Sequence, residues 1–159
     1  AGSKIGGMLL DGRPDFTTIL CACEPGTITS VQAEAKKRGL NTKLQIELYG
    51  HWSFEDVKLW KELGISQLTL QHSGDKPGGW DEEEIATLKK LCDMGIDVAA
   101  TGSIGYDDLE KFRGIPVSCF IFGRAIRKAA DPAKEARRMK EKIKEMKKLK
   151  TMKNIFNIL

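Results

Sequence analysis

The sequence predicts an α/β fold built around a parallel β-sheet. Five short apolar runs are typical of buried strands, and each is followed by a helix-like segment or a short helical turn. The strand starts fall roughly 20 to 30 residues apart, which is the spacing of βαβ units. Such units place parallel strands in one sheet through right-handed crossovers, and burial of both sheet faces makes the strands apolar along most of their length.

The strand pattern occurs five times along the chain. The segments are FTTILCAC (16–23), KLQIEL (43–48), QLTLQ (67–71), DVAA (97–100) and VSCFIF (117–122). A complete (β/α)8 barrel needs about 250 residues, so five units fall short of one. From the spacing alone, a doubly wound sheet and part of a (β/α)8 barrel are both open.

Helices are predicted between the strands from their caps and apolar faces. Residues 27–38 carry apolar side chains on one face. Ser53 with Asp56, and Asp81 with Glu84, have the spacing of capping boxes at the start of two further helices. Glycines stand where helices should end: Gly39, Gly64, Gly95 and Gly114.

The composition is that of a globular domain, with 41% hydrophobic and 30% charged residues. No apolar window of about 18 residues is present, which predicts no membrane partner. The opening residues AGSKIGG lack the regions of a signal peptide, so a cytoplasmic location is expected. None of the four cysteines forms a Cys-x-x-Cys pair, and zinc binding is not expected.

The net charge of +4 comes from one terminal segment. Residues 133–153 hold ten Lys or Arg and three Glu, a net +7, so the rest of the chain carries −3. Apolar residues recur there at helical spacing, which predicts a docked helix with a solvated basic face, beginning at Asp131-Pro132. The alternative is that this basic helix contacts nucleic acid or a membrane. We favour the docked helix and therefore expect neither partner. We divide the chain into a domain (1–146) and a basic tail (147–159).

Two strand ends have the composition of an anion site. The fourth run ends in Thr101-Gly102-Ser103, and the fifth ends in Gly123-Arg124. Glycine lets backbone N–H groups approach a ligand, and Arg124 adds a charge-assisted hydrogen bond worth roughly 1.5–3 kcal/mol. The alternative is two ordinary turns, with Arg124 paired to an acidic side chain.

Glu47 and His72 are further candidates at strand ends. Glu47 lies within an apolar strand, where a carboxylate is costly unless it is paired or functional. In a barrel it would point towards the axis near the catalytic mouth, and the alternative is an ion pair made for stability. His72 follows the third strand, where it is either a catalytic group or a hydrogen-bonding residue.

Two long segments, residues 43–68 and 93–136, closely resemble 3-keto-L-gulonate 6-phosphate decarboxylases of the orotidine 5′-monophosphate decarboxylase suprafamily. The resemblance is most specific in the Ile-Glu-Leu-x-Gly-x-Trp segment and in the Thr-Gly and Gly-Arg strand ends. The resemblance implies a dimeric, magnesium-dependent (β/α)8 barrel that decarboxylates a phosphorylated keto acid through an enediolate, in L-ascorbate catabolism. It also favours a partial barrel of strands 4 to 8.

The resemblance assigns roles to individual residues. Gly102, Ser103, Gly123 and Arg124 match the phosphate-binding turns after strands 7 and 8, and Thr101 matches a threonine that contacts substrate. Glu47 matches a glutamate on strand 5 that orients the catalytic lysine, and His72 stays a candidate on its position. The implied partner is a sugar-phosphate substrate, and the implied cofactor is Mg²⁺.

Three departures limit the resemblance. The Asp-x-Lys-x-x-Asp motif and the metal-binding acids of the family are absent from these residues. Gln71 and Gly74 replace a histidine and an arginine after strand 6, which puts His72 one position late and turns its side chain to the other face. Ser103 replaces a glycine, so its N–H donates only if the turn does not require a positive φ there.

These departures predict a phosphate half-site without the groups that stabilise the carbanion. We therefore expect no decarboxylation by this chain alone, because electrostatic stabilisation is usually the largest catalytic contribution. The chain is expected to be a fragment of an enzyme or a natural remnant, and to associate as a homodimer or with a missing N-terminal half. The alternatives are a sugar-phosphate isomerase or epimerase, and a degenerate, non-catalytic phosphosugar-binding protein.

Overall fold

The computed structural model describes the backbone of residues 2–156 and the side chains of residue 4 and residues 6–147. The chain divides into two compact units. The first contains the residues up to 71 together with 96–99, and the second contains 72–95 together with the residues from 100 onward.

Helices and strands alternate along the chain as the sequence predicts. The elements are α1 (Gly2–Leu10), β1 (Phe16–Leu20), α2 (Pro25–Lys37), β2 (Lys43–Leu48), α3 (Phe54–Glu62), β3 (Gln67–Gln71), α4 (Glu82–Asp93), β4 (Asp97–Thr101), a 3-10 helix (Asp107–Phe112), β5 (Cys119–Ile121), α5 (Arg124–Arg127) and α6 (Pro132–Phe156). The strands are hydrogen bonded in the order β1-β2-β3-β4-β5. β1 with β2 and β2 with β3 pair in parallel, and Glu47 stands opposite Leu20 and Thr69.

The first unit is held together by close packing of helices and by one buried strand face. A Cβ on Gly6 would lie 2.7 Å from Val31 Cγ2, so the glycine allows α1 to approach α2 closely. Along β2, Leu44, Ile46 and Leu48 are buried and alternate with partly exposed polar residues. This alternation leaves Glu47 on the opposite face, as the period of a strand requires.

The second unit packs its helices on an apolar core. Leu88 and Leu91 of α4 and Phe112 of the 3-10 helix are at most 1% exposed. Met139 and Met146 bury the apolar side of α6, while most of its basic residues stay exposed. α6 is therefore a docked helix with a solvated basic face, and it continues without a break through residue 147.

The structure corrects the bounds of two predicted strands and adds one helix. β1 ends at Leu20 rather than at Cys23, because the Cys23 N–H turns back to donate to the Leu20 carbonyl. β5 is limited to Cys119–Ile121, shorter than the predicted run. α1 was not predicted, because GSKIGGMLL contains three glycines and no cap signal.

Candidate functional site

The two predicted strand ends line one cavity of about 360 Å³ within the second unit. Its lining residues are Thr101, Gly102, Ser103, Ile104, Gly105, Ile121, Gly123, Arg124 and Ala125. This set contains one cation and no carboxylate, so its charge favours an anionic ligand. The volume falls in the range of about 300–1,000 Å³ that small-molecule sites occupy.

The turn after β4 is shaped by two successive residues with positive φ. Gly102 has a φ of +85° and Ser103 a φ of +48°. A Cβ on Gly102 would overlap the His72 carbonyl oxygen, so only glycine fits there. Ser103 adopts the left-handed region at a cost of roughly 1–2 kcal/mol. The condition set for donation by its N–H, a turn without a positive φ, is therefore not met. The N–H is nevertheless available to a ligand, because the serine itself adopts this φ and its N–H has no hydrogen-bond partner among the described residues.

Thr101 connects the two sides of the cavity. Its Oγ1 donates a hydrogen bond to the Ile121 carbonyl at 3.2 Å, which ties the end of β4 to the end of β5. The hydroxyl proton is engaged there, so the oxygen presents its remaining lone pairs as an acceptor. Thr101 could therefore accept a hydrogen bond from a substrate hydroxyl.

Arg124 supplies the positive charge of the cavity. Its side chain is exposed, and across the described side chains it forms no ion pair or hydrogen bond. The alternative prediction, pairing of Arg124 with an acidic side chain, is not met within this part of the chain. Asp108, which accepts from the N–H of the lining residue Gly105 at 2.9 Å, is already paired with Lys111 at 3.0 Å. The guanidinium is thus available to an anion.

Glu47 lies in the first unit and is not among the residues that line the cavity. Its side chain is half-buried on β2, and none of the described side chains forms a hydrogen bond or ion pair with it. The alternative of a stabilising ion pair is therefore not met among those residues. Its neighbour in register, Thr69, is 3% exposed and has a hydroxyl without a hydrogen-bond partner in the described structure.

His72 is a buried partner of α4 and does not line the cavity. The residue is 1% exposed, and its Nδ1 lies 3.0 Å from both carboxylate oxygens of Glu84. Glu84 also accepts from the Asp81 N–H at 3.0 Å in the predicted capping box. The late position of His72 predicts a side chain on the other face, and in the structure this side chain contacts Glu84 of α4. The geometry gives a direct catalytic role no support.

The described residues offer no site for a metal ion. Nowhere in that part of the chain do three His, Cys, Asp or Glu side chains lie close enough to hold one. These residues therefore do not by themselves supply a protein cage for the Mg²⁺ that the resemblance implies. Within the same residues, no helix combines the length and apolar character needed to cross a membrane.

Sequence reasoning missed Trp80, which supports the turn from outside the cavity. Its Nε1 donates a hydrogen bond to the Gly102 carbonyl at 2.8 Å, and the side chain is almost fully buried. A buried tryptophan is typical of a core residue, and the partner is 22 positions away in the sequence. The only signal was its place between two glycines and a helix cap.

Comparison with known proteins identifies the relatives of this chain. The family model described as orotidine 5′-phosphate decarboxylase / HUMPS family matches residues 11–139. The 3-keto-L-gulonate-6-phosphate decarboxylase UlaD of Escherichia coli O139:H28 is 36% identical over 149 residues. That alignment covers 92% of this chain and 68% of the relative.

Solved structures agree with the sequence comparison. The KGPDC of Streptococcus mutans matches with a TM-score of 0.82 and 32% identity over 92% of this chain and 68% of that one. The 3-keto-L-gulonate-6-phosphate decarboxylase of Vibrio cholerae O1 matches with a TM-score of 0.80 and 31% identity, covering 92% and 68%. The predicted fold class, an α/β fold of the partial (β/α)8 barrel type, is confirmed.

Proposed function

The chain belongs to the orotidine 5′-phosphate decarboxylase / HUMPS family, and on that basis we propose that it binds a phosphorylated keto sugar acid as a 3-keto-L-gulonate 6-phosphate decarboxylase-like carboxy-lyase. The observation that carries the proposal is the cavity lined by both strand ends, with Arg124 unpaired among the described residues. A cytoplasmic location and a role in L-ascorbate catabolism belong to the same proposal.

In this proposal, the cavity holds the phosphate group of the substrate. Arg124 donates charge-assisted hydrogen bonds to it, and the N–H groups of Gly102, Ser103 and Gly123 donate further hydrogen bonds. Thr101 contacts the rest of the substrate through its oxygen. Phosphate binding supplies energy remote from the reacting carbon, which can be used to orient the substrate for the chemical step.

Glu47 has a separate role in the proposal, which is to orient a catalytic lysine. A half-buried carboxylate without a described partner is suited to receive an ammonium group. These 159 residues contain no Asp-x-Lys-x-x-Asp motif, so we propose that the lysine comes from a partner polypeptide or a preceding segment. A homodimer, or pairing with an N-terminal half, belongs to this proposal.

The proposal is tested by replacing Arg124 with alanine. The loss of a charge-assisted hydrogen bond of roughly 1.5–3 kcal/mol should weaken sugar-phosphate binding by more than about tenfold. Arg127→Ala is the matched control, because Arg127 is exposed on the same short helix but does not line the cavity. The affinity for the sugar phosphate is measured by calorimetry. Equal affinity of Arg124→Ala and the unmodified protein would count against the phosphate site.

A non-catalytic phosphosugar-binding protein is the second candidate. It is favoured by Gln71 and Gly74, which stand where the family has a histidine and an arginine. We expect no CO2 release from 3-keto-L-gulonate 6-phosphate by this chain alone, although it binds the compound. Turnover by the isolated chain would show that its catalytic groups lie elsewhere in these residues. No observation favours the isomerase or epimerase alternative.

A further inference from the structure

We propose that Trp80 is a positioning residue that fixes the orientation of the Gly102–Ser103 peptide, so that the Ser103 N–H faces the anion cavity. This inference rests on the proposed phosphate-binding function. It concerns a residue outside the cavity, since Trp80 is 2% exposed and does not belong to the lining.

The trans geometry of the Gly102–Ser103 peptide sets the direction of the Ser103 N–H. The carbonyl and the N–H of one peptide unit point in opposite directions, because the unit is planar. The Gly102 carbonyl accepts a hydrogen bond from Trp80 Nε1 at 2.8 Å. The N–H of the same peptide, which belongs to Ser103, therefore points away from Trp80. Ser103 lines the cavity, and its N–H has no protein partner in the described part of the chain.

The preceding peptide, between Thr101 and Gly102, is held in a similar way. The Thr101 carbonyl accepts a hydrogen bond from the His72 N–H at 3.0 Å. Because this peptide is also planar and trans, the Gly102 N–H points away from His72. The carbonyls of two successive peptides thus accept hydrogen bonds from His72 and Trp80. The N–H groups of the same two peptides, which have no partner among the described residues, are left for a ligand. Two neighbouring N–H groups of this kind make an anion-binding concavity.

The Gly102–Ser103 peptide keeps this orientation only if a contact holds it there. Glycine at position 102 permits a wide range of backbone angles, and rotation of the peptide would turn the Gly102 carbonyl towards the anion. A carbonyl oxygen repels a phosphate, so a rotated peptide would weaken binding instead of supporting it. The indole donor removes this alternative, since rotation would leave both Nε1 and the carbonyl without a partner.

Trp80 is itself held firmly. Its ring packs edge-on against Phe112, with the ring centroids 5.1 Å apart. Its carbonyl accepts a hydrogen bond from Lys111 Nζ at 3.1 Å, and Lys111 also pairs with Asp108. Asp108 in turn accepts from the Gly105 N–H, two residues beyond Ser103. The indole is therefore placed by the residues that flank the turn.

The test removes the indole N–H and keeps the aromatic ring. Trp80→Phe retains a ring against Phe112 but lacks the donor, and replacement of Trp80 by 3-benzothienylalanine retains the bicyclic shape should the phenylalanine variant not fold. Trp60→Phe is the matched control, because Trp60 is 4% exposed and lies on α3 in the first unit. The first measurement is the set of residual dipolar couplings of the Gly102 and Ser103 N–H bonds in the free protein.

We expect both Trp80 variants to change the Ser103 coupling, and Trp60→Phe to leave it unchanged. Titration with inorganic phosphate should then show affinity about tenfold weaker in the Trp80 variants, as expected when one hydrogen bond to a charged group is lost. An unchanged Ser103 coupling in a folded Trp80 variant overturns the inference. If the coupling changes but the unmodified protein binds no phosphate, the peptide is positioned as inferred and the proposed function fails.

Discussion

Ser103 shows how single residues set the properties of the turn. A serine with a φ of +48° occupies a conformation that costs a non-glycine residue roughly 1–2 kcal/mol. The sequence predicted the turn from its Thr-Gly-Ser composition, but the backbone angles depend on contacts with residues such as His72 and Trp80, far away in the sequence. These contacts could not be inferred from local patterns.

Replacing Ser103 with glycine should stabilise the protein slightly. Glycine removes the backbone strain of about 1–2 kcal/mol that serine has in the folded state. Its greater conformational freedom in the unfolded chain costs about 0.5–1 kcal/mol and partly offsets this gain. We expect the free energy of unfolding, measured with urea, to rise by roughly 0.5 kcal/mol. Ser66→Gly is the control, since Ser66 is exposed and has no positive φ, and it should lose stability. A lower free energy of unfolding for Ser103→Gly would show that the backbone at Ser103 is not strained.

Elements with local signals were predicted well, and elements without them were not. The capping boxes at Ser53 and Asp81 are present as predicted, because capping depends on residues three positions apart. α1 escaped prediction because its place depends on the close approach of Gly6 to Val31, a tertiary contact. The ends of β1 and β5 were misplaced for a related reason, since an apolar run does not show where the backbone turns away from its neighbour.

An ionic cluster around Glu110 links α6 to the 3-10 helix. Arg113 donates two hydrogen bonds to this carboxylate, and Lys142 of α6 forms an ion pair with it. The hydrogen bond from Arg113, followed by that from Lys142, lowers the pKa of Glu110 to about 2. Arg138 stacks on the Tyr106 ring at 3.6 Å and adds a second contact between α6 and the segment after β4.

This cluster predicts a pH dependence of stability. Because the pKa of Glu110 is lower in the folded protein than its ordinary 4.5, the stabilisation is fully present above about pH 4.5 and is lost as the pH falls towards 2. Glu110→Gln should therefore destabilise the protein at neutral pH, and its difference from the unmodified protein should shrink on acidification. Urea unfolding at several pH values measures this, and a constant difference down to the most acidic condition would refute it.

At the scale of the whole molecule, the sheet leaves apolar residues and strand edges uncovered. β1 and β5 end the strand order, so within the described residues each has one edge without a neighbouring strand. Phe16 and Leu20 of β1 are 46% and 52% exposed. Large exposed apolar side chains beside an open strand edge mark a surface for association. The number of strands predicted open strand edges. What covers them could not be predicted, because it belongs to another polypeptide segment.

We therefore expect the chain to associate in solution. Light scattering over a range of concentrations should give a mass above that of one chain, and Leu20→Lys should reduce it by placing a charge on the uncovered surface. Leu59→Lys is the matched control, because Leu59 is 39% exposed but lies on α3. A monodisperse, folded monomer at every concentration would disprove the expected association.

We expect the ends of β4 and β5 to bind a phosphate group together. This expectation is tested most directly by NMR titration of the unmodified protein with a phosphorylated keto sugar acid and with the same compound lacking its phosphate. We expect that only the phosphorylated compound binds, and that the largest amide chemical-shift changes fall on Gly102, Ser103 and Gly123. Equal binding of the two compounds, or shifts confined to other parts of the chain, would contradict it.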